Sequence, residues 1–136
     1  MWRRLFAFGL IGVVNTAIDW SVFWVIGTAV PGGAEFAGLA KAASYAAGVV
    51  ASFFLNSRIT FRRDYLAMTE GTRGAARVAF ARFWAVALLC LGVNALTYET
   101  LRGTGYLDLP ALVAATLAAF LVGFGLNQAW TFRSRA

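Results

Sequence analysis

Four long apolar stretches constrain this 136-residue chain more than anything else in it. They run from Leu5 to about Val30, from Phe36 to Leu55, from Phe83 to Leu101 and from Leu109 to Leu126, and none is broken by more than one charged residue. Each is at or near the ~20 residues that carry a helix across ~30 Å of hydrocarbon. The runs are continuous rather than alternating, which excludes membrane-spanning strands. Composition agrees. The chain is 60% hydrophobic and 13% charged, whereas a soluble domain carries about 25% charged residues. The expected fold class is all-α integral membrane: one domain over residues 1–136 with four transmembrane helices at about 5–30, 36–57, 80–101 and 109–129. The opening "MWRRLFAFGL" has the look of a signal-peptide start. The run behind it is too long for an h-region of ~7–15 residues and lacks a clear small-residue cleavage site. It reads as a retained first helix.

The charges set an orientation. Gly/Pro-rich turns, "VPGGAE" and "RGTGYLDLP", join helices one to two and three to four. Of the twelve basic residues, Arg3, Arg4, Arg58, Arg62, Arg63, Arg73, Arg77, Arg82, Arg133 and Arg135 fall on the side of the termini and the middle segment. Only Lys41 and Arg102 fall on the other. The positive-inside rule puts both termini and the middle segment in the cytoplasm, with four passes through the membrane. The middle segment, "RRDYLAMTEGTRGAARVAFARFW", is basic with interspersed apolar residues. It suits the cytoplasmic interface or a partner. A net charge of +6 would suggest nucleic acid in a soluble protein. Here the placement of the charges points to a membrane, and nucleic acid is not an expected partner.

Several chemistries are excluded. The chain has no His and a single Cys, Cys90. That removes His-based acid–base catalysis, Cys–His nucleophiles and zinc sites. Cys90 lies inside an apolar run and reads as inert packing. With no nucleophile–base pair, an enzyme is not expected, and no metal or cofactor is called for.

The chain repeats itself. "FFLNSRITFRR" and "GFGLNQAWTFRSR" share Leu-Asn, three residues, then Thr-Phe-Arg, at Leu55 to Arg62 and Leu126 to Arg133. Repeat one, about 3–63, matches repeat two, about 82–135. Each has a basic entry, a helix with a mid-span Asn (Asn15, Asn94), a short turn, and a helix ending in this phrase. Two helices per unit give both units one orientation, related by a pseudo-two-fold along the membrane normal. Ser44, Gly48, Ser52 and Asn56 lie four apart on one helix face, as do Ala115, Ala119, Gly123 and Asn127. Such small-residue stripes are packing seams between membrane helices.

Asp19 is the outlier. A carboxylate within a span costs at least ~2.5 kcal/mol on insertion scales. At 1.5 Å per residue it lies ~21 Å along the helix from Leu5 and ~9 Å below the outer surface, while Lys41 is ~8 Å deep. The depths match, and the expectation is an Asp19–Lys41 ion pair. The other reading has Lys41 snorkelling outward and Asp19 neutral; pairing is preferred because intramembrane charges pair. Asn15 and Thr16 adjoin Asp19, and with Asn94 these residues form the candidate intramembrane polar group. In repeat two, Glu99 has Arg102 at i+3 as a local interfacial partner, and Leu112 stands where Lys41 would recur.

Asn56 and Asn127 fall at the inner ends of their helices, where Asn is a competent C-cap. Trp130, Phe61 and Phe132 fall at headgroup level, where aromatics anchor. Arg58, Arg62, Arg63 and Arg133 form a basic inner rim, suited to anionic lipid and to bidentate recognition of phosphate. Asn56, Arg58, Arg62, Arg63, Asn127 and Arg133 are therefore the candidate lipid-phosphate site.

The two "LN...TF" phrases, with "GLIGVVNTAID" opening helix one and "LAKAASYAAG" opening helix two, resemble the GtrA-like family of small four-span membrane proteins over essentially the whole chain. That resemblance implies a role in cell-surface polysaccharide synthesis. The role would be translocation of a polyprenyl-phosphate-linked sugar across the cytoplasmic membrane, or anchoring of the glycosyltransferase that makes it. Asp19 and Lys41 are similar to an acid and a Lys of some relatives. Gln128 and Ala129 depart from the basic residues common in the first phrase, which favours repeat one as the phosphate site. A small proton-coupled drug exporter also has four short helices and an acid in helix one; it ranks last, given the Lys partner and the strong orientation bias. Four helices enclose little volume, so a homo-oligomer is plausible.

Overall fold

The computed structural model describes residues 1–29, 37–70, 72–105 and 107–133. Among them there are helices and turns and no strand. The order is α1 (Trp2–Ala29), α2 (Ala37–Leu55), a π turn (Asn56–Thr60), α3 (Arg62–Thr69), α4 (Ala75–Gly103), α5 (Asp108–Leu126) and a second π turn (Asn127–Thr131). Four helical stretches are long and apolar enough to cross a membrane: Trp2–Ala29, Leu39–Thr60, Ala75–Gly103 and Leu109–Thr131. The turn sequence at 30–35 and Arg135 lie outside the described residues.

The helices run longer than the apolar pattern suggests. α1 starts at Trp2, so Arg3 and Arg4 sit within its first turn. α4 starts at Ala75 rather than near Phe83. The reason is composition: Ala75, Ala76, Ala79 and Ala81 are the strongest helix formers available, and hydropathy is blind to them once Arg77 and Arg82 are interspersed. What stops α4 from starting earlier is Gly74, at φ 85°, a left-handed conformation that glycine adopts without a Cβ penalty. Pro110 stands in the first turn of α5, where no backbone donor is required of it.

The chain divides into two compact units, Met1–Arg62 and Arg63–Ala136. In the first, α1 packs on α2. Asp19 meets Lys41 and Ser44 near one end, Asn15 meets Gly48 midway, and Phe8 meets Phe61 at the other end. The order of these contacts makes the pair an antiparallel hairpin. In the second unit α4 packs on α5, with Phe83 against Phe132 at the end remote from their connection. α3 joins this unit through Tyr65, whose ring meets Phe132 edge-on at 6.2 Å.

Packing inside each hairpin uses small side chains. Ala40, Ser44, Gly48, Val49, Phe53 and Asn56 are buried on α2 and its π turn; Ala111, Ala115, Gly123 and Asn127 are buried on α5 and its turn. The two four-residue stripes are thus helix–helix seams, where small residues let backbones approach. Large apolar side chains point outward instead, among them Trp2, Phe6, Leu10 and Val13 on α1 and Leu109, Leu117 and Leu121 on α5. That arrangement suits hydrocarbon as the solvent, because lipid tails exact no penalty for exposed Leu. The chain is a multi-pass membrane protein.

Candidate functional site

The first unit holds a polar cluster inside its spans. Lys41 Nζ donates to Asp19 Oδ2 at 2.5 Å. The Ser44 hydroxyl lies 2.5 Å from Asp19 Oδ1 and 2.9 Å from the Lys41 carbonyl. Asp19 comes from α1; Lys41 and Ser44 are one turn apart on α2, which aims both at the same carboxylate. The two charges differ in exposure: the Lys41 side chain is 56% exposed and that of Asp19 17%. Lys41 Nζ also stands 5.9 Å from the centre of the Phe23 ring, a cation–π distance. The carboxylate is thus held from two sides, while the ammonium retains donor capacity on an open face.

On sequence grounds Ser44 belongs only to the small-residue stripe. Its spacing from Lys41, i to i+3 on one helix, is the signal that it shares the acid. Asn15 lies one turn from Asp19 and packs on α2 at Gly48. Its Oδ1 is buried with no hydrogen-bond partner among the described residues. Thr16 is exposed, and its hydroxyl donates to the Gly12 carbonyl at 3.0 Å. Asn94 is half-buried on α4 in the second unit. At the position matching Lys41, Leu112 is exposed, so the acid–ammonium cluster belongs to the first unit alone.

The repeated phrase has one local structure in both units. Each helix passes into a π turn in which the Phe amide reaches five residues back: Phe61 to the Asn56 carbonyl at 2.8 Å, and Phe132 to the Asn127 carbonyl at 2.9 Å. The Asn side chains do not cap the helices. Asn127 keeps right-handed helical angles, and no non-glycine residue among those described has positive φ. Instead Nδ2 of Asn56 donates to the Ser52 carbonyl at 2.9 Å, and Nδ2 of Asn127 to the Gly123 carbonyl at 2.8 Å. Both Asn are buried, and in both turns the Asn Oδ1 and the Thr Oγ1 (Thr60, Thr131) are buried without a hydrogen-bond partner among the described residues.

The extra residue of a π turn rotates the downstream residues by about 100° relative to a continued α-helix. It turns Phe61 and Phe132 inward, where both are fully buried. Phe61 meets Phe8 at 6.2 Å and Phe132 meets Phe83 at 6.1 Å, both edge-on. These two rings are plugs at the base of each hairpin, not headgroup anchors. Trp130 does lie at the surface. Arg82 reaches it from α4, donating to its carbonyl at 3.1 Å with the guanidinium 5.4 Å from its ring.

The basic rim separates from the amides. Arg58, Arg62, Arg63 and Arg133 are exposed, with Arg58 over the Phe54 ring at 5.5 Å. Asn56 and Asn127 are buried in their hairpins, with each Nδ2 bonded one turn back on its own helix, so they do not share a surface with the exposed arginines. A phosphate at these ends would meet guanidinium groups, not Asn amides. Arg82, held at the edge of the second π turn, is a further basic group that its place in the middle segment hides from a sequence reading.

The family model of the GtrA/DPMS transmembrane domain matches the chain over residues 7–105 and 82–136. No curated protein matches it.

Proposed function

The chain belongs to the GtrA/DPMS transmembrane-domain family, and from this premise we infer that it works on polyprenyl-phosphate-linked sugars at the cytoplasmic membrane of a bacterial-type cell. Its proposed activity is translocation: the sugar lipid changes leaflet for cell-surface polysaccharide synthesis, with no bond made or broken. The carrying observation is the Asp19–Lys41–Ser44 cluster, an intramembrane ion pair whose ammonium remains open on one side. A polar headgroup crossing hydrocarbon needs hydrogen-bond partners at depth, and this cluster with Thr16 supplies them along α1. The exposed arginines Arg58, Arg62, Arg63 and Arg133 would collect the lipid phosphate, and anionic lipid, at the cytoplasmic side. The charge asymmetry puts the termini on that side by the positive-inside rule. The polyprenyl tail would stay in lipid, alongside the outward-facing Leu and Phe side chains.

Reconstituted vesicles test this reading. Purified protein should accelerate the loss of a glycosylated polyprenyl phosphate from the leaflet in which it is placed. No acceleration over protein-free vesicles, with the protein folded, would sink it.

A second reading has its own observation. Within the second unit, Arg63, Arg73 and Arg77 are exposed, as are Leu66 and Val78, a mix of groups that suits an acidic partner protein. On that reading the chain anchors a polyprenyl-phosphate glycosyltransferase, singly or as a homo-oligomer, and Asp19–Lys41 only holds the hairpin. Capture of such an enzyme that depends on these arginines, without lipid translocation, would favour it.

A further inference from the structure

At the connection end of the first hairpin, the ion pair has aromatic neighbours, two of them largely exposed. Trp20 and Trp24 are 72% and 69% exposed, and Phe23 is exposed beside them. At about 100° per residue, Phe23 stands about 40° round α1 from Asp19, Trp20 about 100° and Trp24 about 140°. The three rings therefore form one arc that starts at the ion pair and leads away from it. The observed contact of Lys41 Nζ with the Phe23 ring, at 5.9 Å, fixes the start of that arc at the ammonium. Trp20 and Trp24 are mostly exposed, so the hairpin does not rely on burying their indoles. Asp19 is satisfied by Lys41 and Ser44.

A flat apolar face beside a charged hydrogen-bonding pair matches one chemical class well. A pyranose has apolar C–H faces that stack on indole, and a ring of hydroxyls that both donate and accept. Lys41 has two N–H donors beyond the one given to Asp19, and a carboxylate accepts from hydroxyls through its remaining lone pairs. A bare phosphate would use the ammonium alone and find the adjacent carboxylate repulsive. A prenyl chain would use the rings alone. We propose that Trp20, Phe23 and Trp24 with Lys41 and Asp19 form a subsite that holds the sugar ring of the lipid-linked sugar at the connection end of the first unit. This rests on the sugar-lipid reading above and adds to it a place where the headgroup is recognised as a sugar. The second unit differs at the matching positions: Leu112 stands where the Lys would recur, and residues 99–103 contain no Trp or Phe, with Arg102 over the Tyr98 ring instead.

The test is binding by the full chain in detergent micelles, read by calorimetry. The probes are farnesyl phosphate and its glucosyl, galactosyl and mannosyl phosphodiesters. The wild-type protein is expected to bind at least one glycosylated probe about tenfold more tightly than farnesyl phosphate. The Trp20→Leu/Trp24→Leu double variant should reduce that preference to within about twofold while its affinity for farnesyl phosphate is unchanged. The proposal is overturned if the wild type prefers none of the three sugars, or if the double variant keeps the wild-type preference, which would make the rings interfacial anchors only. It is equally overturned if the variant loses both kinds of probe together. A wild type that discriminates in micelles yet moves no lipid between leaflets keeps the subsite and removes the translocation reading alone.

Discussion

Asn15 and Gly48 share one space between them: a Cβ on Gly48 would stand 2.6 Å from Asn15 Oδ1 and 3.6 Å from the Asn15 backbone oxygen. The glycine is what lets α2 pass this close to a polar side chain of α1. Gly12, on the same helix as Asn15, would meet nothing within 4 Å.

This difference predicts opposite outcomes for two identical substitutions. Gly48→Ala forces Asn15 out of its place and should cost about 1 to 2 kcal/mol. Gly12→Ala should cost nothing and gain a little from helix propensity. Adding Asn15→Ala to Gly48→Ala should recover most of the loss, since the two residues compete for one volume. Thermal unfolding in detergent reads all four proteins. Equal midpoints for the two alanine variants would show that the α1–α2 seam is not set by this contact.

Removing one charge of the intramembrane pair should hurt more than removing both. Lys41→Met leaves the Asp19 carboxylate with Ser44 as its remaining hydrogen-bond donor. An uncompensated carboxylate in a span is costly, at least ~2.5 kcal/mol on insertion scales. The Asp19→Asn/Lys41→Met double variant carries no such charge and should unfold at a higher temperature than Lys41→Met alone. If translocation is the activity, both variants lose it. The pairing argument fails if Lys41→Met is as stable as wild type.

Sequence and structure meet unevenly across these residues. Four spans follow from continuous apolar runs, because hydrocarbon demands them. The Asp19–Lys41 contact is reached by counting depth, since helical rise converts sequence position into distance from the interface. The part played by Ser44 is not: a small residue in a stripe of small residues carries no mark of its partner. The π turns are invisible for a different reason. An i to i−5 hydrogen bond leaves the composition and the apolar pattern unchanged, so Phe61 and Phe132 read as headgroup residues when they are in fact interior. The start of α4 escapes the apolar pattern because arginines on a helix look like loop residues to a hydropathy scale.

The two π turns predict stabilising substitutions. Thr60 Oγ1 and Thr131 Oγ1 are buried without a partner among the described residues. Burying a hydroxyl without a hydrogen bond costs about 1 to 3 kcal/mol. Valine has nearly the same shape and no hydroxyl. Thr131→Val should therefore raise stability by about 1 kcal/mol, and Thr60→Val should do the same. A fall in the thermal midpoint of either variant would mean that its hydroxyl is bonded in the membrane.

The register of the first π turn can be tested apart from its side chains. Phe61→Ala empties a buried site against Phe8 and should cost about 3 kcal/mol. Ile59 is exposed, so Ile59→Ala should be nearly silent. Deleting Ile59 shortens the turn by one residue. Phe61 then stands four residues after Asn56, so its amide reaches the Asn56 carbonyl in an ordinary α-helical turn and the ring keeps its side of the helix against Phe8. The deletion should therefore cost well under the ~3 kcal/mol of Phe61→Ala. Combined, the two losses should add, because only one of them removes the packed ring. A deletion as costly as Phe61→Ala would show that the π turn is not a one-residue insertion in a helix that otherwise carries Phe61 into the hairpin.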